Sequence, residues 1–211
     1  MKRSASAFLV LAVALRSVLP LPAQDNIVRK SPQETSSVLP LSAQDIIRKS
    51  PHETIGLMVD GNRVTIVYGR PYSKNPENGK IRKIWGELVP YDEVWRMGAD
   101  EATLLITQQP ILLGNTTIPA GAYTLWLLLA KEGPAKLIVN KQIGQWGIKK
   151  GGADDGYHAS LDMLQVDLKK EPLEKTVSQF TMDIVQKPAG GGVLKLMWEN
   201  TQFSVPFTLK K

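Results

Sequence analysis

Phe203-Ser204-Val205-Pro206-Phe207-Thr208-Leu209 places an apolar side chain at every second position, and that alternation decides the fold. Successive side chains of an extended chain point to opposite faces, so a period of two marks a strand with one buried face and one wet face. The pattern recurs upstream. Leu194, Leu196 and Trp198 alternate with Lys195 and Glu199, leaving only Met197 out of step. Phe180, Met182 and Ile184 alternate with Thr181 and Asp183, and Leu164, Val166 and Leu168 alternate with Gln165, Asp167 and Lys169.

Further upstream, Val64, Ile66 and Tyr68 form a strand entered through Asp60-Gly61-Asn62, and Ile111 to Ile118 predicts a tight hairpin around Gly114-Asn115. Tyr123 to Leu129 is apolar on both faces and predicts a central strand, followed across Glu132-Gly133-Pro134 by Leu137 to Val139. Ile81 to Leu88 alone has helical spacing, and Pro90 ends it. About nine strands with short links predict an all-β fold: a single antiparallel β-sandwich or jelly-roll-like domain with one short helix.

Lys2 and Arg3 precede the apolar run Ala7 to Leu15, and Pro20, Pro22 and Ala23 follow it. This is the pattern of a secretory signal peptide over 1–23, too short an apolar run to span a bilayer. Ser17 to Asp25 recurs as Ser37 to Asp45, and Ile27 to Thr35 recurs as Ile46 to Thr54. Two polar copies are too few for a solenoid. The duplication therefore reads as a flexible tether over 24–50, ahead of a sandwich domain over 51–211, and it offers cleavage after Ala23 or after Ala43. The expected address is the periplasm or the exterior, with no membrane span in the mature chain.

The formal charge of +6 falls to +3 without the leader, because Lys2, Arg3 and Arg16 leave and no acid does. With no cluster of basic and stacking residues, that excludes nucleic acid as a partner. The absence of cysteine excludes disulfides, thiolate catalysis and cysteine-bound zinc.

The densest chemistry lies in Trp95-Arg96-Met97-Gly98-Ala99-Asp100-Glu101-Ala102-Thr103. Asp100 and Glu101 are chain neighbours, which point to opposite faces of an extended chain and seldom share one bond of a substrate. The favoured reading is a charge-locked loop in which the Arg96 fork meets Glu101 or Asp100, with Arg70 completing the network. If such a network is buried, loss of one member costs about 3–5 kcal/mol. The second reading is a ligand site made of Arg70, Tyr72, Trp95, Arg96, Asp100 and Glu101. His52 and His158 read as surface histidines, no metal site or cofactor is expected, and no Gly-x-Ser-x-Gly elbow occurs. Trp198 falls on an inward parity, whereas Trp85, Trp95, Trp126 and Trp146 could be core or stacking platforms for a sugar or peptide.

These residues together resemble the bacterial exported family Domain of Unknown Function 2911. The landmarks are Ser50-Pro51, Tyr68-Gly69-Arg70-Pro71, Ile84-Trp85-Gly86, Leu88 to Tyr91, Trp95 to Thr103, Pro119 to Gly121 with Tyr123, Asn140, Trp146-Gly147 and Trp198-Glu199. The resemblance covers about residues 50–209 and implies a leader and one domain, with no activity to carry over. The family places an arginine shortly after an aspartate, and Asp162-Met163-Leu164-Gln165 lacks it. Two functions follow as expectations. The first is a noncatalytic binding or structural module of the cell envelope, holding a small molecule, glycan or peptide. The second is a hydrolase of envelope glycans or esters that uses Asp100 or Glu101.

Overall fold

Asp60 and Gly61 both take positive φ, 48° and 83°, the sign pattern of a two-residue type I′ turn. The turn joins β1 (His52–Val59) to β2 (Asn62–Gly69), with Val59 opposite Asn62. Gly114, at φ 57°, closes the expected second hairpin between β5 (Ile111–Leu113) and β6 (Thr116–Ile118). The computed structural model describes residues 48–147 and 156–210. The leader and the tether as far as residue 47 lie outside the described residues, as do Gly151-Gly152, Asp154 and Asp155.

The remaining strands are β3 (Val94–Trp95), β4 (Leu104–Thr107), β7 (Gly121–Leu128), β8 (Lys136–Asn140), β9 (Asp162–Asp167), β10 (Lys169–Gln186) and β11 (Gly192–Leu209). One sheet of seven strands runs β1-β2-β4-β7-β8-β9, with β3 also on β7, and a sheet of four runs β10-β11-β5-β6. Every strand pair is antiparallel. The domain is therefore an all-β sandwich, in which the chain changes sheets between β4 and β5, between β6 and β7, and between β9 and β10. Between the sheets lies one apolar core that includes Ile66, Leu125 and Leu137 from the larger and Phe180, Trp198 and Phe203 from the smaller. The doubly apolar β7 is central, as its sequence predicts, and buried through its middle.

Two expectations are corrected. The apolar runs at 194–198 and 203–209 are one bent strand, β11, which turns at Glu199 (φ 51°) while its partner β10 shifts register twice. Residues 169–179 of β10 show no apolar alternation in sequence because one face is exposed and the other, at Glu171, Leu173, Val177 and Gln179, is only half-buried. The helix expected over Ile81 to Leu88 does not form. Ile84 and Val89 are both buried, Val89 N–H donates to the Ile84 carbonyl (2.9 Å), and Ile81 is 74% exposed. Gly86 takes φ 88°, and a Cβ there would lie 2.4 Å from the Tyr91 ring, so the segment coils around that contact. The helical turn described is the 3-10 turn Ala159–Leu161.

Candidate functional site

Gly69 and Gly98 allow the 95–103 loop to lie backbone against backbone on the end of β2. A Cβ on Gly69 would come 2.2 Å from the Ala99 carbonyl oxygen, and one on Gly98 would come 2.8 Å from the Gly69 carbonyl oxygen. Met97 and Asp100 take left-handed backbone, φ 54° and 65°, and Thr103 Oγ1 donates to the Met97 carbonyl (2.7 Å). Trp95 fills the core, stacked on Trp198 (6.0 Å between centroids) and edge-on to Phe180 (5.2 Å). It is therefore no stacking platform. The loop's work is to deliver Asp100 and Glu101 to the rim.

At that rim the partners differ from those expected. Arg48, assigned by sequence to the tether, grips Glu101 through both Nη atoms, Nη2 to Oε1 at 2.6 Å. His52 Nε2 lies 3.0 Å from Asp100 Oδ2 and 2.7 Å from Arg48 Nη1. The hydrogen bond from Arg48 holds the Glu101 carboxyl down at about 2, against a smaller opposing effect of burial. His52, read from sequence as a surface histidine, is exposed and belongs to this cluster.

Arg96 forms no ion pair among the described residues, so the expected Arg96–Glu101 fork is replaced by the Arg48 clasp. Its stem packs beneath Gly147 and beside Trp126, since a Cβ on Gly147 would lie 3.0 Å from Arg96 Cβ and from the Trp126 ring. Its Nε is buried without a hydrogen-bond partner. Burial pushes the guanidinium pKa down, and Asp100 and Glu101 oppose that only at a distance. Arg70 lies elsewhere again, strapping the two sheets together. It meets Glu53 (3.3 Å), the Phe180 carbonyl (3.2 Å) and Thr181 Oγ1 (2.8 Å). Tyr68 donates to Glu53 (2.6 Å) and accepts from the Met182 amide (2.9 Å), and burial followed by that acceptor raises its pKa well above the ordinary phenol range. Tyr72, 39% exposed, sits at the margin in a bridge with Gln179. The six sequence candidates therefore occupy a core, a strap, a margin, a covered face and a rim.

The outer face of the larger sheet carries a row in register: Val67, Leu104, Thr124, Asn140 and Asp162. An outer face is ordinarily wet. Here Thr124, Trp126, Ile138, Asn140 and Gln145 are all buried. Tyr157 leans on Trp126 (5.1 Å) and donates to Asp162 (2.5 Å), Asn140 donates to the same carboxylate (2.8 Å), and Gln145 donates to Thr124 (3.2 Å). Sequence reasoning missed Arg48, Thr124, Gln145, Tyr157 and Asp162 as members of one neighbourhood. Asn140 and Trp146-Gly147, landmarks of the resemblance, were the available signal.

Beside this covered area lies an open depression of ≈240 Å³, lined by His52, Val67, Tyr68, Glu101, Ala102, Leu104 and Gly144. Its floor is apolar, and His52 and Glu101 of the charged cluster stand on its rim. Among the described residues no group of three or more histidines and acids is placed to hold a metal ion, and no helix is long and apolar enough to cross a membrane.

Fold and site together define a two-sheet antiparallel sandwich whose larger sheet bears a charged-rimmed depression on its outer face. The chain belongs to the family described as protein of unknown function (DUF2911), whose model matches residues 50–207. No curated protein and no solved structure matches it.

Proposed function

We propose that this protein is an exported, noncatalytic binding module of the cell envelope, and that its ligand seats in the depression beside Glu101. The observation that carries the reading is the pairing of an apolar floor, Val67, Ala102 and Leu104, with a rim of fixed charges. Such a site takes a small molecule, glycan unit or peptide end with an apolar part for the floor and an N–H or O–H for Glu101. Export is supported by the leader pattern of residues 1–23.

A hydrolase built on Glu101 is the weaker reading. A carboxyl held at about 2 stays ionised at neutral pH, so it cannot donate a proton, and it is too weak a base for efficient proton abstraction.

A thermal-shift screen of the purified protein tests the proposal. A true ligand at a hundredfold excess over Kd adds about 2.7 kcal/mol of stability. Leu104→Trp, which fills the depression, should abolish that shift while leaving the far-ultraviolet circular dichroism unchanged. An equal shift in Leu104→Trp, or no shift across amines, sugars and peptides, rejects the site. For export, protein recovered from cells should begin at Gln24 or Gln44, and a start at Met1 rejects that part.

A further inference from the structure

Away from that depression, a second cavity of ≈150 Å³ opens between the β7–β8 link and the Lys170–Phe203 pair of β10 and β11. Its aromatic walls are Trp85, Tyr91 and Phe203, and its charged residues are Lys131 and Lys170. The walls are positioned by the chain's own packing. Trp85 stands edge-on to Phe203 (5.4 Å) and to Trp198 (6.3 Å), while the Tyr91 ring lies directly on Gly86, where no larger residue would fit. Lys170 pairs across the strands with Phe203 and carries its ammonium 6.0 Å from that ring.

The polar groups of this cavity are unbalanced in one direction. No aspartate or glutamate lines it. Neither lysine has an ion-pair partner among the described residues, and Asp92, which precedes β3, accepts from the Lys131 backbone amide (3.1 Å) rather than from its ammonium. Trp85 Nε1 is buried with no acceptor in reach. That nitrogen is closed off, so Trp85 offers a ligand in the cavity its carbon surface and not its N–H. An ammonium can only donate, and both lysines are exposed, so the charged groups this cavity presents are two cations that suit an anionic acceptor.

We propose that this cavity is a binding site for a carboxylate carried on a single six-membered ring. The ring packs against Trp85 and Tyr91, and the carboxylate meets Lys131 and Lys170. The volume admits about one ring, and aromatic walls with cationic edges suit both an acidic sugar unit and a small aromatic acid.

Calorimetric titration of the full chain with D-glucuronate, D-glucose and benzoate tests this. The expected result is saturable binding of an acid, weakened by added salt, with glucose at least about tenfold weaker. Binding led by glucuronate assigns an acidic sugar, and binding led by benzoate assigns an aromatic acid; either outcome supports the site. The double variant Lys131→Gln/Lys170→Gln should weaken the acid about tenfold or more while its melting temperature stays near that of the parent. Leu104→Trp should leave this binding unchanged, which separates the cavity from the depression beside Glu101. Equal affinity for glucose and glucuronate, no acid binding, or unaltered binding in the double lysine variant overturns the proposal.

Discussion

Gly69 and Ala99 meet with no side chain between them: a Cβ on Gly69 would stand 2.2 Å from the Ala99 carbonyl oxygen and 3.1 Å from its nitrogen. The Ala99 amide donates to the Gly69 carbonyl at 3.3 Å, so the contact is a hydrogen-bonded seam that fixes the 95–103 loop to the end of β2. Gly69→Ala forces backbone apart from backbone, with no flexible side chain to yield. The expected loss is about 2–3 kcal/mol, read as a fall in melting temperature of roughly 5–10 °C. Because the same seam presents Glu101, ligand binding in the adjacent depression should weaken with it. A variant as stable as the parent would show that the loop does not need this seam.

Arg70 and Arg96 make opposite predictions. Arg70, just past the end of β2, joins Glu53 of β1 to the Phe180 carbonyl and Thr181 of β10, so Arg70→Met should cost about 1.5–3 kcal/mol, the range for hydrogen bonds to charged groups. Arg96 is half-buried, with its Nε closed off and no carboxylate in contact among the described residues, so Arg96→Met keeps an apolar stem beneath Gly147 and removes a partly desolvated charge. Replacing such a group by an apolar one of similar volume is neutral or stabilising. Urea denaturation of the two variants measures the contrast. A large loss in Arg96→Met would restore Arg96 to a charge-locked network.

What could be read from the residue order was set by local periodicity. β2, β7, the Gly114 hairpin and the alternation from Phe180 to Leu209 follow from side-chain period and turn chemistry, which are local. The 81–88 segment has helical spacing, yet the Gly86–Tyr91 contact overrides it. The run from Lys169 to Gln179 half-buries only one face, in which polar Glu171 and Gln179 stand beside Leu173 and Val177, and so leaves little hydrophobic signal. At the site, the acids at 100 and 101 were legible as chemistry but their partners were not. Arg96 is close in sequence and faces away, whereas Arg48 comes from a repeat that looks dispensable. The second copy of the duplication differs from the first at one telling place, where His52 stands for Gln33, and His52 is the residue on Asp100. Cross-strand neighbourhoods such as Val67, Leu104, Thr124, Asn140 and Asp162 depend on register between distant strands, which no single segment encodes.

Glu101 links stability to acidity. Its folded pKa is lowered from 4.5 to about 2, chiefly by the hydrogen bond from Arg48, so the folded state favours the ionised form. The contribution is complete above the ordinary carboxyl value of 4.5 and is lost as pH falls through about 2. The side chain is 39% exposed and its partner 35%, so salt should screen much of the effect. In melting curves between pH 5 and pH 2, Glu101→Gln should lose less stability than the parent, and the difference should shrink at high salt. Arg48→Ala should flatten the same limb. Identical acid limbs in parent and both variants would show that the clasp does not form in solution.

Thr124 concentrates three obligations in one hydroxyl on the covered outer face. Its Oγ1 donates to the Gln142 carbonyl (2.8 Å) and accepts from Trp126 Nε1 (3.0 Å) and from Gln145 Nε2 (3.2 Å). The hydroxyl has one hydrogen, and the carbonyl, which cannot donate, takes it. Gln145 must therefore present its amide nitrogen, which leaves its Oε1 as the buried oxygen without a partner. Thr124→Val keeps the shape and strips all three groups of their partner. The expected cost is about 2–4 kcal/mol, above that of an ordinary buried hydroxyl because several buried groups lose their partner together. Thr124→Ser, which retains the hydroxyl, should recover most of that loss, and the Trp126 indole proton should shift in the valine variant but not in the serine one. Equal destabilisation by serine and valine would mean that the Thr124 methyl, packed on the sheet, matters more than its hydrogen bonds.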